Sequence, residues 1–308
     1  MSQTVSQQGL LLPGLDGTNP LGFLAALGTL RVLSLQKPGV KLAWQLAGGT
    51  WRPVIFGVQT ALPDLGAELY AAIQTLDHSA WSIDKRLPFS AKLLRQHAQE
   101  AARSASYSCR QKADILASFG VEYLEDNKGA FEKTDLCMVR AGDSAGQGLT
   151  AYAKRILETT TADELQRALA QTWLSADNQC ALRWDPAEDK PYALQWINPS
   201  KVGALSEKGA NCLALFGMVC FPVLPGLEGA ETTGFGLRRP KQSSLTWPIW
   251  RPALSLAVVT SLLACPELQK ELPDPSRLNP LGVAAVFRCD RIMTSTYYAN
   301  FTPSRRVA

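Results

Sequence analysis

Two histidines, His78 and His97, are all that this 308-residue chain contains. Proton transfer near neutral pH and much of metal ligation lean on that side chain, so both chemistries are poorly provided for. His97 adjoins the apolar stripe of an expected helix and reads as a packing residue. The seven cysteines (Cys109, Cys137, Cys180, Cys212, Cys220, Cys265 and Cys289) form no C-x-x-C pair and are odd in number. A disulfide framework and a clustered zinc site are therefore both unexpected, and the thiols read as buried ones. No G-x-x-x-x-G-K-[ST] run offers a nucleotide loop, and no H-x-H, H-D or H-E-x-x-H run offers a metal centre. Asp84, Asp185 and Asp189 have no spacing that pairs them for acid–base work; they read as turn and surface residues. No cofactor is expected.

Long apolar runs are missing as well. The longest candidate, from Leu254 to Cys265, is broken by Ser255, Thr260 and Ser261, too short and too polar to span a bilayer. The opening "MSQTVSQQG" has neither a basic nor an apolar leader segment, and a cytoplasmic location is the expectation.

What is present suits a globular protein: 46% apolar and 19% charged residues in a length that buries one large core or two smaller ones. Asn19 or Thr18 caps a helix with Pro20 at its first position, almost wholly apolar through Leu35 and stopped at Lys37-Pro38-Gly39. "VKLAWQL" and "RPVIFGV" read as paired strands joined at Gly48-Gly49. Helices are expected near Leu62–Leu76 and over Ala91–Arg103. "TDLCMVR" reads as a strand, "GLTAYAKRILE" as a helix, and "TADELQRALAQTW" as a helix opened by a capping box from Thr161 to Glu164. "ALRWDPAEDKPYALQW" reads as a hairpin with Leu182 and Trp184 on one arm, Leu194 and Trp196 on the other. "FRCDRIM" alternates as a strand does. The fold class is α+β, mostly helical with small antiparallel sheets. A division near Ser200 would separate a mixed α/β region, 1–200, from a basic helical region with a terminal strand, 201–308, unless the two are one domain.

Two features carry chemistry. "GDSAG" at Gly142–Gly146 fits the nucleophile elbow of a serine hydrolase, between an expected strand and an expected helix. Both histidines precede Ser144, however, and no downstream base is available to activate it. A glycine-rich turn in which Asp143 or Ser144 caps the following helix is the simpler reading; the hydrolase stays as an alternative. The second feature is charge. From Glu231 onward there are ten Lys/Arg and five Asp/Glu, although the whole chain carries only +4. Such asymmetry suits a phosphate backbone. Arg238, Arg239 and Lys241 read as an exposed basic loop. Trp247 and Trp250 beside Arg251 read as core or as a stacking platform. Lys208 and Asn211, ahead of the apolar run Cys212–Phe221, suggest an anion site at a helix start, and Lys201, Arg288, Arg291, Arg305 and Arg306 complete the basic inventory.

The blocks "NPLGFLAALGTLRVL", "RWDPAEDKPYALQW", "GANCLALFGMVCFP", "TWPIWRPALSL" and "NFTPSRRV", in this order, resemble the large-subunit (Cas8-like) proteins of type I-G, formerly I-U, CRISPR systems. The resemblance implies a non-catalytic subunit of an RNA-guided surveillance complex. Such a subunit binds target double-stranded DNA, inspects a flanking motif, stabilises the R-loop and recruits a helicase-nuclease. Its partners would be the CRISPR RNA-containing effector subunits, with no membrane. A purely structural assembly subunit is a further alternative. Where the family's hairpin carries a more basic turn, this chain has Asp189-Lys190-Pro191, which puts nucleic-acid contact by that turn in doubt.

Overall fold

In the computed structural model, residues 9–103, 106–139, 146–188, 205–239, 242–293 and 298–308 are described, with the backbone alone for 107–109, 237–239 and 242. The chain opens with a short strand β1 (Leu10–Leu11) and the helix α1 (Pro20–Gln36). Asn19 is the N-cap, its side chain accepting from the N–H groups of Leu21 and Gly22, and Pro20 stands at the first helical position, as expected. Fourteen consecutive residues of α1, Pro20 to Leu33, are buried, so the helix runs through the middle of the molecule. β2 (Lys41–Ala47) and β3 (Thr50–Phe56) form the expected hairpin, with Gly48 and Gly49 both at positive φ in the two-residue turn. β1 adds to β3, giving the order β1-β3-β2.

α2 (Leu65–Gln74) follows a 3-10 turn at Leu62–Asp64, and α3 (Ala91–Arg103) spans the expected residues. Leu94 and Ala101 face inward, Lys92, Gln96 and Gln99 face outward, and His97 lies beside Glu100 on the flank. α4 (Tyr107–Ala117) and the small pair β4 (Gly120–Glu125) and β5 (Phe131–Lys133) come next, none of them anticipated from sequence. α5 (Leu149–Thr159) and α6 (Ala162–Ala170) are where periodicity places them, and the Thr161–Glu164 capping box is formed in both directions.

Three expectations are corrected here. The segment Thr134–Val139 is not a strand: it is a turn followed by a single bridge from Val139 to Tyr298. Arg291 bonds to the carbonyl oxygens of Asp135 and Cys137, so side chains satisfy the backbone that a ladder would otherwise have served. The cap of α5 is Gly148, with no side-chain bond, and not Asp143 or Ser144; Ser144 itself lies outside the described residues. The described part of the "RWDPAEDK" hairpin, Ala181–Glu188, is irregular, with Arg183 at φ 65, and ends in a 3-10 turn at Pro186–Glu188. Leu182 and Trp184 are buried in it, while Leu194, Trp196 and the Asp189-Lys190-Pro191 turn lie outside the described residues.

α7 (Lys208–Met218) is buried from Gly209 to Met218. A hairpin of β6 (Val223–Pro225) and β7 (Ala230–Thr232) follows, then β8 (Phe235–Arg239) and β9 (Gln242–Trp250). After α8 (Leu256–Leu263) and the single turn α9 (Pro275–Leu278), the eleven-residue β10 (Val283–Met293) pairs with β9, β11 (Ala299–Phe301) and β12 (Arg305–Arg306). All these pairings are antiparallel. The class is α+β, with helix outweighing strand. The region after residue 201 carries the larger sheet: the arm containing Trp247-Pro248-Ile249-Trp250 is an inner strand, and Arg238 and Arg239 end a paired strand instead of lying in a loop.

The two regions share one core. α1 and α7 approach so closely that a Cβ on Gly28 would overlap the Leu213 carbonyl, and one on Gly217 the Leu24 carbonyl. β2 reaches the C-terminal part through Leu42 and Leu254, which exchange two backbone bonds of 2.9 Å. Described parts of the blocks quoted above come close together here, at or beside the start of α1 and at α7. Asn19 donates to Asp185 at 2.9 Å, the Asn211 side chain reaches Glu188, the Trp247 indole donates to Gly17 O at 2.8 Å, and Ser304 donates to Thr18 O.

Candidate nucleic-acid interface

The fold divides the expected interface residues into three groups. Trp250 belongs to the first, the buried ones. Its ring is fully enclosed, edge-on to Trp44 and Phe23, and its indole N–H donates to Leu42 O at 2.8 Å. Trp247 is equally enclosed, between Phe23 and Phe287. The stacking role expected for Trp250 is corrected to a core role, because neither ring face is open to a base. Arg288 is also buried, at 1% exposure. Nε donates to Thr246 Oγ1 at 2.7 Å, Nη1 to Glu271 O at 2.9 Å, and Nη2 to Leu268 O and Lys270 O at 3.1 and 2.6 Å. Its guanidinium clamps the 268–271 turn onto the sheet and cannot meet a phosphate. Asn211 is fully buried within α7, donating to Glu207 O, so it is no helix cap either.

The anion site expected at the start of α7 is corrected with it. Glu207 is the N-cap residue, Lys208 is paired with Glu164 at 3.2 Å, and Asp177 lines the same cleft. Burial raises the Glu207 carboxyl above the ordinary value. Carboxylates already occupy the positive end of the helix dipole, leaving little to attract another anion.

The second group remains at the surface. Arg251 follows β9 and is exposed, its backbone N–H bonded to Gly282 O at 3.0 Å; its side chain has no partner among the described residues. Arg306 is exposed and reaches Ala308 O at 2.8 Å and Ala284 O at 3.3 Å. Arg251 and Arg306 thus stand at the same end of β10. Arg305, 44% exposed, pairs with Asp290 at 3.1 Å, an exposed ion pair of about 0–1 kcal/mol that a phosphate could displace. Arg291, half-buried, is spent on the two carbonyls described above. Two cations outside the basic inventory read from sequence belong with this group. Lys270 stands against Glu267 at 2.7 Å, and Arg277, 69% exposed, lies 3.8 Å from Glu267 and 3.9 Å from Asp274. The only sequence signal for them was the overall charge excess.

The third group is open. Arg238 and Arg239 end β8, the outer strand of the sheet, where charge also discourages pairing with another sheet; their side chains are not described. Lys241 and Lys201 lie outside the described residues.

Cys137, Cys180, Cys212, Cys220, Cys265 and Cys289 are free thiols. Burial pushes Cys212 up to about 12 and Cys220 up to about 11, so neither supplies a thiolate near neutral pH. Among the described residues no cluster of His, Cys, Asp and Glu could hold a metal ion, and no helix is long and apolar enough to cross a membrane. Among the described residues the most perturbed carboxyl is Glu188, buried beside Asp185: burial first, then the Asp185 charge, pushes it up to about 8. Compared with protein-family models and with curated proteins, the chain matches none of them.

Proposed function

We propose that this chain is a non-catalytic subunit of a type I CRISPR RNA-guided surveillance complex, one that binds target DNA, inspects the flanking motif, stabilises the R-loop and recruits the helicase-nuclease. The observation that carries the reading is the exposed cationic rim of the C-terminal sheet. Arg251 and Arg306 stand at one end of β10 and Arg305 pairs along it, and Lys270 and Arg277 add exposed charge in the 266–278 segment, whose 268–271 turn Arg288 ties to the sheet. Phosphate contacts of this kind position a protein on a duplex without reading its sequence. A guided complex needs no more than that from such a surface, because base pairing with the guide carries the sequence information. The order of the blocks that resemble the Cas8-like family supports the same reading.

The test is reconstitution. The complex is purified with its guide RNA and co-encoded subunits, with and without this chain, and binding to a matched duplex is measured by mobility shift. The reading requires target binding to vanish without the chain and to return when it is added back. Unchanged binding, or a failure of the chain to co-purify with the other subunits, overturns it.

A further inference from the structure

A second charged cavity lies far along the chain from the C-terminal sheet, and its argument does not depend on the preceding proposal. It has a volume of about 330 Å³ and lies between α5 and the turn around Trp81. Gly146, the last residue of the Gly142–Gly146 motif, is on its wall, and its floor is the face of α5 that starts at Thr150 and Ala151.

Four observations converge on an anion. First, the cavity lies at the start of the eleven-residue α5, its positive end, where the N-cap Gly148 offers no side chain. Second, Thr150 lines the cavity at 1% exposure, and its Oγ1 is buried with no hydrogen-bond partner. A buried hydroxyl left unsatisfied is costly, and a ligand oxygen would relieve it. Third, Lys85, Lys154 and Arg155 all face the space. Lys85 is exposed and has no partner among the described residues. Lys154 is held only loosely, 3.9 Å from Glu158. Arg155 sets Nη2 against Gly146 and reaches the Cys180 thiol. Fourth, the opposing acids are fewer and partly occupied: Asp84 accepts the Arg86 backbone N–H at 2.9 Å, and Glu158 faces Lys154. The buried Trp81 ring closes one side and gives a ligand an apolar wall.

We infer that the cavity between α5 and the Trp81 turn binds a phosphomonoester, held by Lys85, Lys154, Arg155 and the Thr150 hydroxyl at the positive end of α5. A dianion suits three cations set against two carboxylates, and its acceptor oxygens match a site made of donors. The space exceeds a phosphate alone, leaving room beside Trp81 for the sugar that carries it. The group comes either from a free nucleotide or from the phosphorylated end of a nucleic-acid strand.

Calorimetric titration of the full chain with inorganic phosphate tests this. Saturable binding is expected, weakened roughly tenfold in Lys85→Ala and in Lys154→Ala, because each removes one charge-assisted contact. Thr150→Val, which keeps the shape and deletes the hydroxyl, should weaken binding while Thr150→Ser restores it, with circular dichroism unchanged throughout. A nucleoside monophosphate, and a short oligonucleotide with and without a 5′-phosphate, then distinguish the sources. Tighter binding of the monophosphate alone assigns a free nucleotide; tighter binding of the phosphorylated strand over its unphosphorylated twin assigns a strand end. Absence of saturable phosphate binding by the folded wild-type chain overturns the inference. So does equal binding by the folded lysine variants.

Discussion

Glu188 is a buried carboxyl whose surroundings favour its protonated form. Its Oε2 accepts the Arg183 backbone N–H at 2.7 Å, while Oε1 and the neighbouring Asn211 Oδ1 are buried without a donor. Burial, with the Asp185 charge adding to it, holds the carboxyl at about 8, so it keeps its proton at neutral pH. The folded state therefore binds this proton more tightly than the unfolded chain, whose carboxyl titrates near the ordinary 4.5. The stabilisation is complete below about pH 4.5 and declines as pH rises toward 8, by on the order of a few kcal/mol in all. Urea denaturation across that range should show wild-type stability falling more steeply than that of Glu188→Gln, which carries its proton at every pH. Parallel curves for the two proteins would refute the buried-proton account. Trp250 makes the opposite kind of prediction. Trp250→Ala should cost about 3–5 kcal/mol of stability, seen as a lowered melting temperature before any effect on DNA binding. A variant that melts like wild type but binds DNA poorly would return the ring to an interface.

At the scale of elements, the decisive contact is α1 on α7. Two glycines, Gly28 and Gly217, let the backbones meet, each with no room for a methyl group against the other helix's carbonyls. Gly28→Ala must push the helices apart through a close-packed core, at a cost of about 1–3 kcal/mol or more. The expected readout is a lower denaturation midpoint with the same helical content by circular dichroism; an unshifted midpoint would mean the pair is free to slide. α6 offers a milder case. Thr161→Ala removes the half of the capping box that the Thr161 hydroxyl accepts, leaving its backbone N–H on Glu164, and should lose about 0.5–2 kcal/mol, whereas the same change at an uncapped exposed position should lose almost nothing. These elements were legible because their signals are local: Asn19-Pro20 opens a helix, Gly48-Gly49 turns a hairpin, Thr161-x-x-Glu164 closes on itself. β4 to β7 were not, since strands of three to six residues carry too few side chains to show a period of two.

For the whole molecule, charge is the property that reaches a partner. Replacing Arg251, Arg305 and Arg306 together with alanine should weaken target-DNA binding by the assembled complex without disturbing assembly, since all three are exposed or loosely paired. For every phosphate deprived of its arginine, the slope of log affinity against log salt should flatten by roughly 0.9 on duplex DNA. Alanine at Arg238, Arg239 and Lys241 is expected to act in the same direction. If neither set changes affinity or slope, the cationic rim faces solvent or another subunit. Substituting Arg288 instead should unfold the 268–271 turn, because its donors serve four protein acceptors.

Sequence by itself determined the class of the fold, the core helices and hairpin, the unpaired thiols and the excess of positive charge in the last quarter. All of these follow from composition and from periods of two and 3.6 residues, which adjacent side chains are enough to express. Which of the arginines face water was decided only by tertiary structure. Arg288, Arg291 and Arg305 look alike as residues in a row. They differ because one lies over the 268–271 turn, one reaches the 135–137 turn, and one stands on an exposed edge strand. The same holds for Trp250, whose partner Leu42 and ring neighbours Phe23 and Trp44 all come from the far end of the chain. It holds for "TDLCMVR", strand-like in pattern but bonded to an arginine in place of a neighbouring strand. A local pattern states what a segment can bury or pair with, and the partner that long-range packing supplies decides which of those it does.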